Sequence, residues 1–255
     1  MKAIIFWRLL VVALIIAIWQ GLSGPVFDSF WVSRPSLIAE WLWKSIASGT
    51  LGADLLITAK ETVYGYLIGA VGGLALAFLL AQSERVAVVL RPFILAIYGI
   101  PRIALAPLFV LWFGIALSSK IMMAAMVTLL LVFFNTYEGI RSADLQLKSV
   151  ALVLGASRWQ LFRSVTLPNA SPWILAGLRI AIPQALVGAV VAEFIASTGG
   201  IGYLIMDTTS TLDSAGTMAG ILVLMIVVLL LGTILDRVEG RILRWRPEEK
   251  KDKTT

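Results

Sequence analysis

Residues 63–81 read VYGYLIGAVGGLALAFLLA and contain no charged side chain. About 20 mostly apolar residues are enough to cross the hydrocarbon core of a bilayer as a helix, so this stretch predicts a membrane-spanning helix. Gly65, Gly69 and Gly73 recur at four-residue steps, which leaves one face of that helix without side chains and lets another helix approach closely. The stretch therefore indicates a helical membrane protein.

The rest of the chain repeats this pattern. Of its 255 residues, 59% are apolar and 14% are charged, whereas soluble domains are nearer half apolar and a quarter charged. We expect an all-α membrane protein with six transmembrane helices and both termini on one side of the membrane. The five further stretches are residues 3–22, 93–117, 121–137, 173–197 and 215–235.

The first of these stretches has an alternative interpretation as a secretory signal peptide. Lys2 and Arg8 precede a short apolar run at residues 9–19, as a signal peptide requires. However, no small-x-small cleavage site follows at residues 20–22, and removal would leave five spans with the termini on opposite sides.

The distribution of the 21 Lys and Arg residues indicates the orientation. If the N-terminus is cytoplasmic, fifteen of them fall in inside segments, four fall outside (Arg34, Lys44, Lys60 and Lys120), and Arg102 and Arg179 lie within spans. Inside segments of membrane proteins carry the excess of basic residues, so we expect both termini in the cytoplasm. The net charge of +6 then marks the cytoplasmic surface and not a nucleic-acid site.

The segment between the first two spans, residues 23–60, contains Trp31, Trp41 and Trp43 among prolines and scattered charges. Tryptophans of this kind suit a helix that lies at the outer membrane interface. A plain loop is the alternative.

The chain contains neither His nor Cys, which removes imidazole bases, thiol nucleophiles and the usual zinc, haem or iron–sulfur ligands. Apart from Glu193 and from Glu138 at a span end, the predicted spans hold no acidic residue. We therefore expect no catalytic residues and no metal site. The sequence shows no plausible catalytic constellation for a membrane enzyme. A secondary transporter driven by an ion gradient would usually show internal repeats and acids near the midplane, and this sequence shows neither clearly.

The cytoplasmic segment 141–171 is longer than a connector requires and reads RSADLQLKSVALVLGASRWQLFRSVTLPNAS. Its first part has helical periodicity and ends at Gly155. Ser157 followed by Gln160 is a capping-box pattern for a second short helix, which Pro168 is expected to end. Such a helix-turn-helix could lie on anionic lipid or could dock a soluble partner through Arg158 and Trp159.

This segment resembles the EAA loop of bacterial ABC importer permeases, whose pattern is Glu-Ala-Ala, three residues, Gly, nine residues, then Ile-x-Leu-Pro. Ala151, Gly155, Val165, Leu167 and Pro168 match it, while Ser149 and Val150 replace the first Glu and Ala. The phrases PRIALAP at 101–107, LWFGI at 111–115, LGAS at 154–157 and GGIG at 199–202 look like the nitrate/sulfonate/taurine-type permeases.

The resemblance implies a bacterial inner-membrane permease that works with a second permease copy, two cytoplasmic ATPase subunits and an external substrate-binding protein. ATP and Mg²⁺ would be bound by the ATPase, and this chain would bind no cofactor itself. It also implies one permease domain over residues 1–255, with a core at 58–235, a coupling loop at 141–171 and a charged tail at 236–255. The residues expected to contact the ATPase are Ala151, Gly155, Ala156, Ser157, Arg158, Trp159, Leu167 and Pro168.

The sequence agrees with a separate ATPase, because a phosphate-binding G-x-x-x-x-G-K-[ST] loop is ruled out by the absence of any Gly-Lys pair. Charged residues inside a membrane are candidates for the translocation path, and here they are Arg102, Arg179 and Glu193. Either arginine could instead extend its side chain to the cytoplasmic surface. Glu193 could act as a gate, contact the binding protein or form a helix–helix hydrogen bond.

Overall fold

The computed structural model describes residues 2–24, 27–28, 30–142 and 145–242. This part of the chain is helical, and its only strand-like pairing is a single bridge between Ser23 and Phe27. The helices are α1 Lys2–Leu22, α2 Pro35–Ala47, α3 Thr50–Ala81, α4 Glu84–Gly99, α5 Arg102–Phe113, α6 Leu117–Arg141, α7 Leu145–Val153, α8 Arg158–Leu161, a π-helical turn Phe162–Thr166, α9 Leu167–Ile195, α10 Ile201–Ser210 and α11 Ser214–Ile242.

Four stretches of helix in the described chain are long and apolar enough to cross a membrane. They are Thr50–Ala81, Leu117–Arg141, Arg158–Ile195 and Ser214–Leu235. These stretches contain the predicted spans 63–81 and 121–137, nearly all of 173–197, and 215–235. The apolar part of α1, Phe6–Leu22, is shorter. The all-α membrane class is therefore confirmed, and six crossing helices remain a prediction.

The predicted span over residues 93–117 is not a single straight helix. Helices α4 and α5 meet at a bend of 97°, and Ile100 between them has extended backbone angles, φ −68° and ψ 129°. The helical conformation is disfavoured for the residue before a proline, so Pro101 ends the helix here. Pro107, by contrast, lies inside α5.

The second span begins earlier than its charge-free stretch suggested. Helix α3 starts at Thr50, so residues 50–60, which were assigned to the outer segment, continue the helix. The charges of Asp54 and Lys60 ended the predicted span but do not end the helix, because a charged side chain is compatible with helical backbone.

The expected end of the second loop helix at Pro168 is also wrong. The chain passes from α8 through the π-helical turn Phe162–Thr166 directly into α9, which contains Pro168 in its first turn. Proline has no N–H to donate and its ring crowds the preceding turn of an α-helix, so the wider π-helical turn that precedes Pro168 can accommodate it within the helix. The predicted short helix is therefore the beginning of a long one.

The chain divides into two compact units. The first comprises Met1–Gly65, Pro101–Ala124 and Leu186–Met225, and the second comprises Tyr66–Ile100, Ala125–Ala185 and Ile226–Thr255. The first is centred on the buried residues Leu51, Ile201, Leu204 and Ile205. The second is centred on Ala77, Leu80, Phe133 and Tyr137.

Within the second unit, the glycine face of α3 packs against the backbone of α6. A Cβ atom at Gly73 would lie 2.6 Å from the carbonyl oxygen of Leu129 and 3.0 Å from the nitrogen of Phe133. A Cβ atom at Gly69 would meet the carbonyl oxygen of Ala125. Since real Cβ atoms do not approach backbone so closely, this packing depends on glycine.

Residues 35–47 form α2, as expected of a helix in the segment 23–60. Its Trp41 indole Nε1 donates a 2.9 Å hydrogen bond to Oδ2 of Asp213, whose Oδ1 accepts from the backbone N–H of Gly216 in the first turn of α11. On the exposed side, the Lys44 ammonium lies 2.7 Å from Glu40 and lowers the pKa of that carboxyl group by a hydrogen bond and by its charge. The position of α2 at the membrane surface remains a prediction.

Candidate functional site

The turn after α7 is fixed by backbone geometry. Gly155 has φ 82°, a conformation that side-chain-bearing residues rarely adopt. The N–H of Ala156 donates to the carbonyl of Ala151, and the N–H of Gly155 donates to that of Leu152, both at 3.0 Å. This pair of bonds is the Schellman motif, so Gly155 ends α7 as the sequence predicts.

The predicted capping box at Ser157 is confirmed. Ser157 Oγ accepts from the N–H of Gln160 at 3.3 Å, and the N–H of Ser157 donates to Oε1 of Gln160 at 2.8 Å. Each bond satisfies a backbone N–H donor that would otherwise lack a partner at the start of the helix. The chain from α7 to α8 is therefore a defined turn and not a loose connector.

This turn carries apolar side chains that nothing in the described chain covers. Val153 is 87% exposed, Leu154 is 80% exposed and Trp159 is 66% exposed. The Trp159 ring stacks on Phe162 with 5.7 Å between ring centroids, and Phe162 meets Phe78 of α3 edge to face at 5.6 Å. An exposed apolar patch held rigidly in this way is typical of a protein or membrane contact.

We call residues 145–168 the coupling segment. Most of the residues expected to contact an ATPase are accessible on it: Gly155, Ser157, Arg158, Trp159 and Pro168 are exposed, and Ala151, Ala156 and Leu167 are partly exposed. The beginning of the predicted loop includes residues 143 and 144, which lie outside the described residues.

The three candidates for the translocation path lie in different surroundings. Arg102 is the first residue of α5, and its side chain lies outside the described part of the structure. Arg179 is exposed on α9 and interacts with a neighbouring group. Glu193 is only 1% exposed, so it does not line an open surface of this chain.

Glu193 instead holds the N-terminus of α10, together with two residues of α3. The first backbone N–H groups there point at side chains, which satisfies donors that every helix start leaves open. Gly202 N–H donates to Oε2 of Glu193 at 2.5 Å, Ile201 N–H donates to Oγ1 of Thr58 at 2.8 Å, and Gly200 N–H donates to Oδ1 of Asp54 at 2.8 Å. Thr58 Oγ1 in turn donates to Oε1 of Glu193 at 2.7 Å. Of the roles considered for Glu193, the structure shows the hydrogen bond between elements.

Sequence analysis did not predict the burial of two further charged residues. Glu61 is 1% exposed and Lys120 is 2% exposed. Glu61 precedes the predicted span 63–81 but lies within α3, and Lys120, which was expected in an outer segment, is buried in the structure. Lys120 Nζ donates to the backbone carbonyl oxygens of Ile115 and Ala116, just before the start of α6.

A signal for Glu61 was present in the sequence. Asp54, Thr58 and Glu61 stand at positions i, i+4 and i+7, which is one face of a helix. A polar stripe on an otherwise apolar helix indicates a polar environment on that face, which either water or a neighbouring helix can supply. No comparable spacing marks Lys120.

Comparison with known proteins agrees with this architecture. A family model described as "Binding-protein-dependent transport system inner membrane component" matches residues 69–245. A Bacillus subtilis protein named as an aliphatic sulfonates transport permease, SsuC, is 36% identical over 239 residues, covering 93% of this chain and 87% of that protein. The riboflavin transport system permease protein RibX of Chloroflexus aurantiacus is 33% identical, covering 91% of this chain and 87% of that protein. The formylaminopyrimidine transport permease protein ThiX of Halalkalibacterium halodurans is 35% identical, covering 72% and 74%.

Solved structures show the same fold. A chain of the inward-facing MetNI methionine ABC transporter superposes with a TM-score of 0.68 at 18% identity, covering 78% of this chain and 98% of that chain. A chain of an amino acid ABC transporter superposes with a TM-score of 0.66 at 20% identity, covering 78% and 97%. Since the family model covers most of the chain and the named relatives exceed 30% identity, this chain belongs to the family of binding-protein-dependent transport system inner membrane components.

Proposed function

We propose that this chain is the permease subunit of an ATP-driven importer and that its coupling segment docks a cytoplasmic ATPase. The observation that carries the proposal is the exposed apolar group Val153, Leu154 and Trp159 on a turn fixed by the Gly155 conformation and the Ser157 capping box. Large apolar and aromatic side chains at a rigid position are the usual anchors of protein interfaces. A lipid contact would not require the same fixed turn.

In this proposal, six helices cross a bacterial inner membrane and both termini are cytoplasmic. The bent pair α4 and α5 forms one of the six crossings, and α1 forms another. A single permease domain covers residues 1–255, with the core at 58–235, the coupling segment within 141–171 and the charged tail at 236–255. The fifteen basic residues of the inside segments support this orientation.

The proposed assembly contains a second copy of this chain, two ATPase subunits and an external binding protein. ATP and Mg²⁺ are bound by the ATPase subunits, because this chain has no Gly-Lys pair and hence no phosphate-binding loop of that type. This chain contributes the path and the docking surface and catalyses no reaction.

The substrate is proposed to be a small anion such as a sulfonate or nitrate-like compound, or a heterocyclic vitamin precursor. The support is that the relatives' names refer to aliphatic sulfonates, riboflavin and formylaminopyrimidine. Arg102 and Arg179 are proposed to lie on the path, where an arginine would favour an anion. Glu193 is assigned to the attachment of α10.

The buried acids Glu61 and Glu193 are the one feature that would suit a transporter driven by an ion gradient, since such proteins place acids inside the membrane. Their contacts favour a structural role, because Glu193 is engaged by Thr58 and by the start of α10. The importer is therefore the better-supported function.

Native mass spectrometry of the complex purified on this chain from its own host tests the proposal. We expect two copies of this chain with two copies of an ATPase, and an external protein in at least part of the sample. A lone chain or a homo-oligomer without an ATPase, under conditions that preserve other membrane complexes, would refute the importer assignment.

A further inference from the structure

An apolar groove lies at the C-terminal end of α1, between the helix and the turn that follows it. The groove has a volume of about 350 Å³, and its walls carry almost no polar surface. Its lining residues are Ile15, Ile18, Trp19 and Leu22 of α1 and Phe27 and Val32 of the turn. Polar groups gain nothing from such walls, whereas a hydrocarbon chain can fill the groove at no cost in lost hydrogen bonds.

Hydrogen bonds hold the turn against α1 and so keep the groove in shape. The N–H of Phe27 donates to the carbonyl of Leu22 at 3.2 Å, and the N–H of Gly24 donates to the carbonyl of Phe27 at 2.6 Å. Gln20 is joined to Ser36 at the start of α2: its Nε2 donates to Ser36 Oγ at 3.2 Å, and its Oε1 accepts from the Ser36 N–H at 3.1 Å. The groove is therefore a defined feature of the fold.

The guanidinium group of Arg34 lies beside the same turn, two residues along the chain from each end of the groove lining. A Cβ atom at Gly24 would lie 3.0 Å from Cζ of Arg34, so the guanidinium group rests on the backbone of Gly24. Arg34 is exposed, and among the described residues no carboxylate is within ion-pairing distance of it. Asp28, the acid of this turn, accepts from the N–H of Phe30. The positive charge of Arg34 is therefore available to an anionic group.

The depth of the groove and of Arg34 matches the depth of a phospholipid. Helix α1 has 21 residues, which corresponds to about 31 Å and is close to the thickness of the hydrocarbon core. If α1 crosses the membrane as proposed above, Leu22 lies near the boundary between hydrocarbon and head groups. The groove then covers about the last 10 Å of hydrocarbon, and Arg34 lies at the level of the head groups.

We propose that the groove and Arg34 together form a binding site for one phospholipid. Its acyl chain fills the groove, and its phosphate binds the Arg34 guanidinium, whose planar shape suits two phosphate oxygens at once. The bound lipid joins the end of α1 to the start of α2. This inference rests on the proposed crossing of α1, but not on the ATPase or on the transported substrate.

Native mass spectrometry of the purified full-length chain, titrated with phosphatidylglycerol in detergent, tests the phosphate contact. We expect one lipid to bind with a lower Kd than all further lipids. Arg34→Gln should raise this Kd about tenfold or more, as expected for a lost hydrogen bond to a charged group. Lys44→Gln, which removes an exposed cation of α2, should leave the Kd unchanged. Diacylglycerol with the same acyl chains, which lacks the phosphate, should bind the wild-type chain about tenfold more weakly.

A second pair of variants tests the groove separately from the charge. Ile18→Trp places a larger side chain in the groove and should raise the Kd of the first phosphatidylglycerol about tenfold. Ile16→Trp introduces the same side chain at a similarly exposed position of α1 that does not line the groove, and it should leave the Kd unchanged. Since both isoleucines are exposed, neither change disturbs the packed interior of the chain.

Three results would overturn the proposal. Equal Kd values for Arg34→Gln and Lys44→Gln would exclude the phosphate contact, and equal Kd values for Ile18→Trp and Ile16→Trp would place the lipid elsewhere on the surface. The absence of any phosphatidylglycerol that binds ahead of the rest would leave only non-specific lipid. None of these measurements involves an ATPase or transport, so a negative result here would not count against the importer assignment, and failure of that assignment would not explain it.

Discussion

Thr58 shows how much one side chain can determine in a buried cluster. Its hydroxyl accepts from the N–H of Ile201 and donates to Glu193, and the residue is only 1% exposed. Valine has nearly the same shape and can make neither bond. A buried group left without its partner loses about 1 to 3 kcal/mol, and here a donor and an acceptor would both be left.

We expect Thr58→Val to lower the apparent Tm of the purified chain by about 2 to 10 °C, from that free-energy loss and the Tm change per kcal/mol typical of a chain this long. Thr62→Val is the matched control. Thr62 lies one turn further along α3 and donates only to the carbonyl of Thr58 at 2.7 Å, so its loss should have a smaller effect. Equal effects of the two substitutions would show that the bonds of Thr58 to Ile201 and Glu193 contribute little.

Sequence reasoning found part of this cluster and missed the rest for a physical reason. Glu193 was conspicuous because it stands inside a long apolar stretch. Glu61 and Lys120 stand just before apolar stretches, next to other polar residues. Charged residues at such positions usually face water. Whether they are buried depends on how α3, α6 and α9 pack, which spacing along a single helix does not determine.

At the scale of the helix, the contact between α3 and α6 distinguishes two adjacent glycines. A Cβ atom at Gly73 would meet backbone atoms of α6, at 2.6 Å from the carbonyl oxygen of Leu129. A Cβ atom at Gly72 would meet only the flexible Leu129 side chain, at 3.1 Å from its Cδ1. Side-chain tips can move, whereas backbone in a helix cannot do so cheaply.

Gly73→Ala should therefore destabilise the chain by about 1 to 3 kcal/mol through overpacking, seen as a lower apparent Tm in detergent. Gly72→Ala should be neutral or slightly stabilising, because alanine favours helix over glycine. The two variants share composition and helix, so their difference isolates the helix contact. A greater loss in Gly72→Ala would contradict the packing described for α3 and α6.

The turn after α7 allows a test of docking that does not depend on internal packing. A Cβ atom at Gly155 would meet no atom of the described chain within 4 Å, so a substituent there points into open space. Aspartate and asparagine tolerate a positive φ better than other residues and have similar shapes. A difference between them therefore reports on the charge at the surface of the turn.

We expect Gly155→Asp to insert normally and to reduce substrate uptake about tenfold or more, which corresponds to roughly 1.4 kcal/mol of lost docking energy. Gly155→Asn should reduce substrate uptake by a smaller factor. Uptake into cells and co-purification of the ATPase measure the two effects, and the amount of chain in the membrane fraction is the control for insertion. Normal uptake by Gly155→Asp would remove Gly155 from the docking surface.

Proline positions show which features of an element can be predicted. The end of α7 at Gly155 and the capping box at Ser157 followed from local chemistry, because the atoms that form them are close in sequence. The effects of Pro101 and Pro168 did not follow from local chemistry. Pro101 separates α4 from α5, whereas Pro168 follows a π-helical turn and the helix continues through it.

At the scale of the whole molecule, the orientation does not depend on Lys120. Without it, three outside cations remain against fifteen inside, so the basic residues still indicate cytoplasmic termini. What charge cannot determine is whether α4 and α5, bent by 97°, cross the membrane or return to the side from which they entered. Every helix that follows them has its direction set by this choice.

The chain contains no cysteine, so single introduced cysteines can determine that choice. Ala47 at the end of α2 and Ser164 in the π-helical turn are both exposed, and each can be replaced by cysteine. If α4 and α5 together cross once, the two positions lie on opposite sides of the membrane, because α3, the bent pair and α6 make three crossings. A membrane-impermeant maleimide should then label Ala47→Cys in intact cells, and Ser164→Cys only after permeabilisation. Labelling of both in intact cells would mean that the bent pair returns to its own side, since only two crossings would then separate them.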